Sequence, residues 1–334
     1  MRKVALALLV ALSAPFAASA AIIDNGTIQL GVDDFGQLNV GGGVASPISG
    51  TTTTGLRHME TGYEATAHGC LCEGWGVGIG ETGQYGSANN SFGGADNLTL
   101  SSFGSTATTA TSVVTVDGTG LKVTHHFMPS AATPDLYQVR VTIENTGGAD
   151  ITDLRYTRTF DWDVEPTAFS EYVTHAGVAT TPSVLSAVDN GFVDSNPFAS
   201  RSNICSSGGD FVDAGSCDNG SNFDFGFGEL KVGEKYEFDI FYGASRTEAG
   251  ALAALGTVGA ELYSLGQSSL DPDGDGFTDA GLATSTFIFA FKGVGGIIVV
   301  PPPAVPLPAS GLLLLGGAGL LGALRRRRRP MLAA

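Results

Sequence analysis

Apolar and polar residues alternate along Leu136-Tyr137-Gln138-Val139-Arg140-Val141-Thr142-Ile143 and again along Ile151-Thr152-Asp153-Leu154-Arg155-Tyr156-Thr157-Arg158. Successive side chains of a strand point to opposite faces, so each run predicts a strand with one buried face. Asn145-Thr146-Gly147-Gly148 stands between them as a turn signal, which makes the expected unit an antiparallel hairpin. Further strand-like runs occupy 27–32, 37–40, 113–116 and 121–127, and the two runs above extend over 136–144 and 151–162. The aromatic-rich runs 223–230, 235–242 and 286–291 predict central strands. One segment departs from period two. Over 246–265 Ala, Leu, Glu and Val recur at helical spacing, and Ser245 with Glu248 makes a capping box, so a single amphipathic helix is expected there.

The two ends carry apolar runs of another kind. Arg2-Lys3, an apolar stretch from Val4 to Leu12, and the small residues Ala18-Ser19-Ala20 follow the order of a secretory signal peptide over 1–20, with cleavage expected after Ala20. At the other end a Pro-rich linker containing Pro301-Pro302-Pro303 precedes an uncharged run, 309–324, and five arginines, Arg325 to Arg329. At 1.5 Å per residue that run makes a helix of roughly 24 Å, short but adequate for a thin inner membrane. The arginines would stay cytoplasmic and leave the bulk of the chain, 21–299, outside.

The ending Val305-Pro306-Leu307-Pro308-Ala309, its apolar run and its basic cluster resemble the PEP-CTERM class of sorting signals, in the VPLPA form, of exported proteins in Gram-negative bacteria. Leu307 stands where the commoner form has Glu. The resemblance covers the last thirty or so residues, within 300–334. It implies Sec export, transient anchoring in the inner membrane, processing near the motif by an exosortase, and delivery to the cell surface or matrix. It also implies an association with exopolysaccharide and biofilm. A permanent anchor would use the same segment.

Composition narrows the class of the central region. The 334-residue chain has 48 glycines and only 15% charged residues, a profile of turn-rich β structure. A large antiparallel β-sandwich with one helix follows. A supersandwich of the mutarotase-like kind would suit the length, and two successive smaller sandwiches would also fit. The Gly-rich stretch 74–94 is the expected place for a long irregular excursion, although Gly74 to Gly80 also read as a strand with close backbone approach. Between the ends 33 acidic residues face 10 basic ones, a net charge near −23. That surface excludes nucleic acid as a partner.

Four cysteines in an exported chain predict disulfides. Cys205 and Cys217 flank a Ser/Gly/Asp loop and would close it. Cys70 and Cys72 are separated by one residue and could pair, or hold a metal with His68. Asp271-Pro272-Asp273-Gly274-Asp275-Gly276-Phe277-Thr278-Asp279 matches the first part of a calcium loop, with Asp271, Asp273, Asp275 and Asp279 as ligands and Leu282 where an EF-hand has its bidentate Glu. Asp161-Trp162-Asp163-Val164-Glu165 sets carboxylates beside an aromatic ring, the elements of a glycan or cation contact, with His175 further on. His58, His125 and His126 suggest no shared site, because adjacent residues of a strand face opposite ways. Neither a nucleophile elbow nor a phosphate loop occurs, so a non-enzymatic surface protein is the expectation.

Overall fold

The computed structural model describes residues 20–298, which form three antiparallel sheets and one α-helix. The largest sheet has nine strands in the order Phe211–Cys217, Glu171–Ala176, Leu262–Ser268, Thr286–Lys292, Lys235–Ser245, Leu136–Asn145, Leu121–Pro129, Ala110–Val116 and Leu98–Ser105. A six-stranded sheet runs Val184–Val188, Gly220–Leu230, Ile151–Asp161, Gly74–Ile79, Gln84–Asn89 and Gly94–Asp96. The third sheet is Ala20–Asp24, Ile28–Asp33, Leu56–His58 and Tyr63–Glu64. The signal-peptide segment, the sorting motif Val305 to Ala309 and the expected membrane helix lie outside the described residues. Among those described, no helix is long and apolar enough to cross a membrane.

The two larger sheets face each other across an aromatic core. Phe225 meets Phe291 at 5.0 Å between ring centroids, Phe223 meets Phe289 at 5.8 Å, and Phe160 meets Tyr242 at 5.6 Å. Each pair joins a six-stranded-sheet residue to a nine-stranded-sheet residue, so the aromatic-rich runs are central in a sandwich-like fold, as their composition predicts. Leu121–Pro129 and Leu136–Asn145 bury alternate residues.

The predicted hairpin does not form. Leu136–Asn145 pairs with Leu121–Pro129 and Lys235–Ser245 in one sheet, whereas Ile151–Asp161 pairs with Gly220–Leu230 and Gly74–Ile79 in the other. The intervening turn joins two interior strands across one open end of the sandwich, beside the second crossing at 230–235. Asn145 ties the two crossings together: its Nδ2 donates to Ala149 O at 2.9 Å and to Leu230 O at 3.0 Å. Alternation tells a strand which face is buried but leaves its lateral partner open.

Three other expectations change. The helix is shorter, Glu248–Val258: Thr247 caps its start by accepting from Gly250 N at 3.0 Å, and Gly259 ends it at φ +69°. Ser245 belongs to the preceding strand, and Leu265 to the strand after the helix. The helix packs Ala251, Ala254, Leu255 and Val258 on the outer face of the nine-stranded sheet, against Leu136, Phe241 and Ile288. Residues 37–40 form only isolated bridges, Val32 to Leu38 and Val40 to Thr54. The Gly-rich stretch is an ordered hairpin, Gly74–Ile79 with Gln84–Asn89, and no excursion. A side chain at Gly76 would meet Ser195 O at 1.9 Å, so glycine admits the neighbouring chain there.

A buried ion pair joins the two larger sheets and the loop that follows the strand Ile28–Asp33. Arg158 Nε donates to Glu73 Oε1 at 2.5 Å and to Tyr242 OH at 2.8 Å, and its Nη2 donates to Gly36 O at 3.2 Å. Glu73 also accepts from Tyr242 OH at 2.8 Å and from Leu38 N at 2.7 Å. Neither charged side chain reaches solvent. Breaking a buried pair from one side leaves an uncompensated charge, so Glu73→Gln should lower unfolding stability by about 3–5 kcal/mol, read from the denaturant midpoint. A change under about 1 kcal/mol would show that the network is not holding the sheets.

Candidate functional site

The strand Ile151–Asp161 ends where Asp161, Asp163 and Glu165 follow one another at alternate positions, and the chain there is wedged between two neighbours. Trp162 N donates to Asn219 O at 3.3 Å, Asp163 N to Ala65 O at 2.7 Å, and Glu165 N to Glu64 O at 3.1 Å. These contacts bury all three carboxyl groups to 1% exposure or less.

Their environments then diverge. Glu165 accepts from Ser46 Oγ at 2.5 Å, Ser49 N at 3.0 Å and Glu64 N at 2.9 Å, and pairs with His68 Nε2 at 3.0 Å. Burial pushes its pKa up, but the hydrogen bonds from His68, Ser46, Ser49 and the Glu64 amide outweigh burial and hold it at about 2. Both oxygens of Asp163 and Oδ1 of Asp161 have no partner. The His68 amide lies near Asp163 without hydrogen-bonding geometry.

Two acids from other segments close around this pair. Glu171 opens the strand Glu171–Ala176, opposite Cys217 in register, and is fully buried with neither oxygen partnered. Asp218 follows Cys217, and its Oδ1 is buried and unpartnered. Burial, then the charges of Asp161, Asp218 and Glu64, raise Asp163 to about 9. Burial, then Asp163 and Asp218, raise Glu171 to about 9. Asp161 is raised well above its ordinary value by burial, with Asp218 and Glu171 adding to it. Holding Asp163 and Glu171 protonated at pH 7 against unfolded values near 4 costs on the order of 4 kcal/mol each. That is a large share of the 5–15 kcal/mol by which domains are ordinarily stable.

Both cysteine pairs are closed, Cys70 with Cys72 and Cys205 with Cys217. The first bears on Asp161, whose Oδ2 lies 3.1 Å from Cys70 Sγ. A disulfide sulfur has no proton to donate, so any proton in this contact belongs to the Asp161 carboxyl. Cys70, Cys72 and Asp161 bring ligand atoms within 4.8 Å of one another, but a disulfide offers no thiolate to a metal. His68 is engaged with Glu165, so the thiolate site with His68 does not form.

Trp162 is fully buried, its Nε1 donating to Ser221 Oγ at 3.2 Å and Ser264 Oγ at 3.0 Å. It is thus not a surface platform for a sugar. His175 lies 2.7 Å from Ser221 Oγ through Nε2, but the pair is buried, Nδ1 has no orienting partner, and burial lowers the His175 pKa to about 3. A base that weak does not activate a serine.

The acidic loop is partly assembled. Asp271, Asp273 and Asp275 bring carboxylate oxygens within 4.8 Å, while Asp279 stands apart and exposed. Asp271 accepts from Asp275 N at 3.1 Å and Gly276 N at 3.2 Å, which curls the loop around its carboxylate. No protein-family model matches this chain, and neither does any curated protein.

A carboxyl raised in the native state takes up protons on folding, so its stabilising effect is full below the unfolded pKa near 4 and is lost as pH rises to about 9. Glu165 and His175 act only on the acid side, through about 2 and about 3. Between pH 7 and 8.5, with a chelator present, titration of Asp163 and Glu171 should lower stability by about 4 kcal/mol, a fall in Tm on the order of 10 °C. Thermal melts across that window check it, and a flat Tm would show that these groups are not protonated in the native state.

Proposed function

We propose that this chain is an exported, non-enzymatic protein of the bacterial cell surface or extracellular matrix, sorted through its C-terminal VPLPA-type signal and associated with exopolysaccharide. The observation that carries the reading is the sequence of the end: Val305 to Ala309, an uncharged run, and Arg325 to Arg329. The body supports it. Both cysteine pairs are disulfides, which suits an oxidising compartment outside the cytoplasm. Cleavage after Ala20 would remove one residue from the strand Ala20–Asp24 and leave Ala21 to Asp24 paired with Val32 to Gln29. Asp161, Trp162, Asp163 and Glu165 are all buried, which argues against a glycan-binding or glycan-active role for them.

Calcium in the Asp271 loop belongs to the same reading. The three gathered carboxylates offer a hard cation oxygen ligands, and calcium there would stiffen the connection into the strand Thr286–Lys292. Thermal melts with calcium and with chelator should differ by several degrees less in an Asp273→Asn/Asp275→Asn variant than in the wild type. An equal difference in both would remove calcium from this loop.

The sorting reading predicts the mature product. Mass spectrometry of surface-extracted protein should find an N-terminus at Ala21 and no peptide beyond the Pro-rich motif, and Pro306→Ala/Pro308→Ala should leave unprocessed chain in the inner membrane. Surface protein that retains Arg325 to Arg329 would overturn exosortase processing.

A further inference from the structure

The acids around Trp162 differ from every other buried charge in the fold. Arg158 has Glu73, Arg201 has Asp224, and Glu165 has His68, Ser46 and two amides. Among the described residues, Asp161, Asp163, Glu171 and Asp218 form no ion pair. Six of their oxygens are buried and unpartnered, and Oδ1 of the fully buried Asn219 is a seventh. These atoms come from three segments: the end of the strand Ile151–Asp161, the start of Glu171–Ala176, and the connection after Cys217. The register of Glu171 with Cys217 and the bond from Trp162 N to Asn219 O hold the segments side by side.

We propose that Asp161, Asp163, Glu171 and Asp218 form a buried calcium site, completed by Asn219 Oδ1. An unpartnered buried carboxylate is strongly unfavourable, and a divalent cation neutralises two of them while satisfying their lone pairs. The donors are all oxygens, which selects a hard cation over zinc or copper. Four acids and an amide oxygen drawn from three segments suit the six to eight ligands and loose geometry of calcium better than the strict octahedron of magnesium. The oxygens of Asp161, Asp163 and Glu171 do not already lie within one coordination sphere. The amides of His68, Ser170 and Phe169 lie near the Asp163 and Glu171 carboxyls without hydrogen-bonding geometry, so closure onto an ion requires these two side chains to turn about their torsions. Two disulfides brace the surroundings, Cys70–Cys72 against Asp161 and Cys205–Cys217 directly before Asp218. Asp218, half-buried, marks the route from solvent.

Trp162 lies between two of the ligands, which provides a reporter that the Asp271 loop, with Phe277 as its aromatic residue, does not share. Terbium, a luminescent calcium substitute, is titrated into the purified protein with excitation of tryptophan. A saturable sensitised emission is expected, displaced by calcium, and with few coordinated waters as judged from lifetimes in light and heavy water. Asp163→Asn and Glu171→Gln should each weaken terbium binding by about tenfold or more. Asp273→Asn/Asp275→Asn should leave the tryptophan-sensitised signal intact, so failure of the loop site and failure of this one are told apart. Near-ultraviolet circular dichroism in chelator checks that the variants fold, and if they do not, the wild-type water count and calcium displacement decide alone. Absence of sensitised emission, a fully hydrated ion, or a signal unaltered in folded Asp163→Asn and Glu171→Gln would overturn the site.

Discussion

The Arg158–Glu73 pair is the constraint on which the rest of the architecture hangs. Arg158 belongs to the six-stranded sheet, Tyr242 to the nine-stranded sheet, and Gly36 and Leu38 to the loop that follows the strand Ile28–Asp33. A guanidinium in this interior is tolerable only with a counter-charge and acceptors at fixed positions, which Arg158 finds through Nε and Nη2 while Nη1 has no partner. Aromatic stacking between the sheets is non-directional and would accept a range of offsets. The ion pair accepts very few, so it sets how the sheets sit on one another while the phenylalanines supply the burial.

The same interior treats its other charges unevenly. Glu165 is buried as deeply as Asp163, two residues away, yet one is held ionised and the other protonated. Burial raises both, and the hydrogen-bond donors present at one and missing at the other separate them. Glu165 meets two hydroxyl- or amide-bearing serines, an amide and an imidazole, whereas Asp163 meets other carboxyl groups. Repulsion among acids and the absence of donors act in the same direction, and the concentration of that repulsion at one end of the sandwich distinguishes this place from the surface turn at Asp271.

Much of the fold was legible because strand formation leaves a local signature. The runs around 121, 136, 151, 223, 235 and 286 all became strands, and the aromatic ones became central. Errors arose where a distant neighbour decided. The stretch 74–94 suggests an irregular excursion, whereas its first part, Gly74 to Gly80, is the strand with close backbone approach that its glycines predict, Ser195 lying against Gly76, and the rest pairs back on it. The helix runs past Gly259 by spacing alone, but a left-handed residue there and a waiting strand partner end it. Of the candidate site, Asp161, Asp163 and Glu165 were visible as a pattern. Glu171 and Asp218 carried no signal, being ordinary acids at unremarked positions. The pattern also misled about Trp162, since a tryptophan between two aspartates looks the same whether its ring faces solvent or core.

By itself the sequence determined the antiparallel β class, the acidic character of the body and the presence of four cysteines able to pair. Each of these depends on residues near one another in the chain or on totals. Only the tertiary structure decided that 136–145 and 151–161 lie in different sheets, that Arg158 meets Glu73, and that four acids from three segments share one unneutralised interior. The physical reason is common to all three. Alternation and propensity act over a few residues, whereas partner choice and charge compensation depend on which distant segments the folded core brings together.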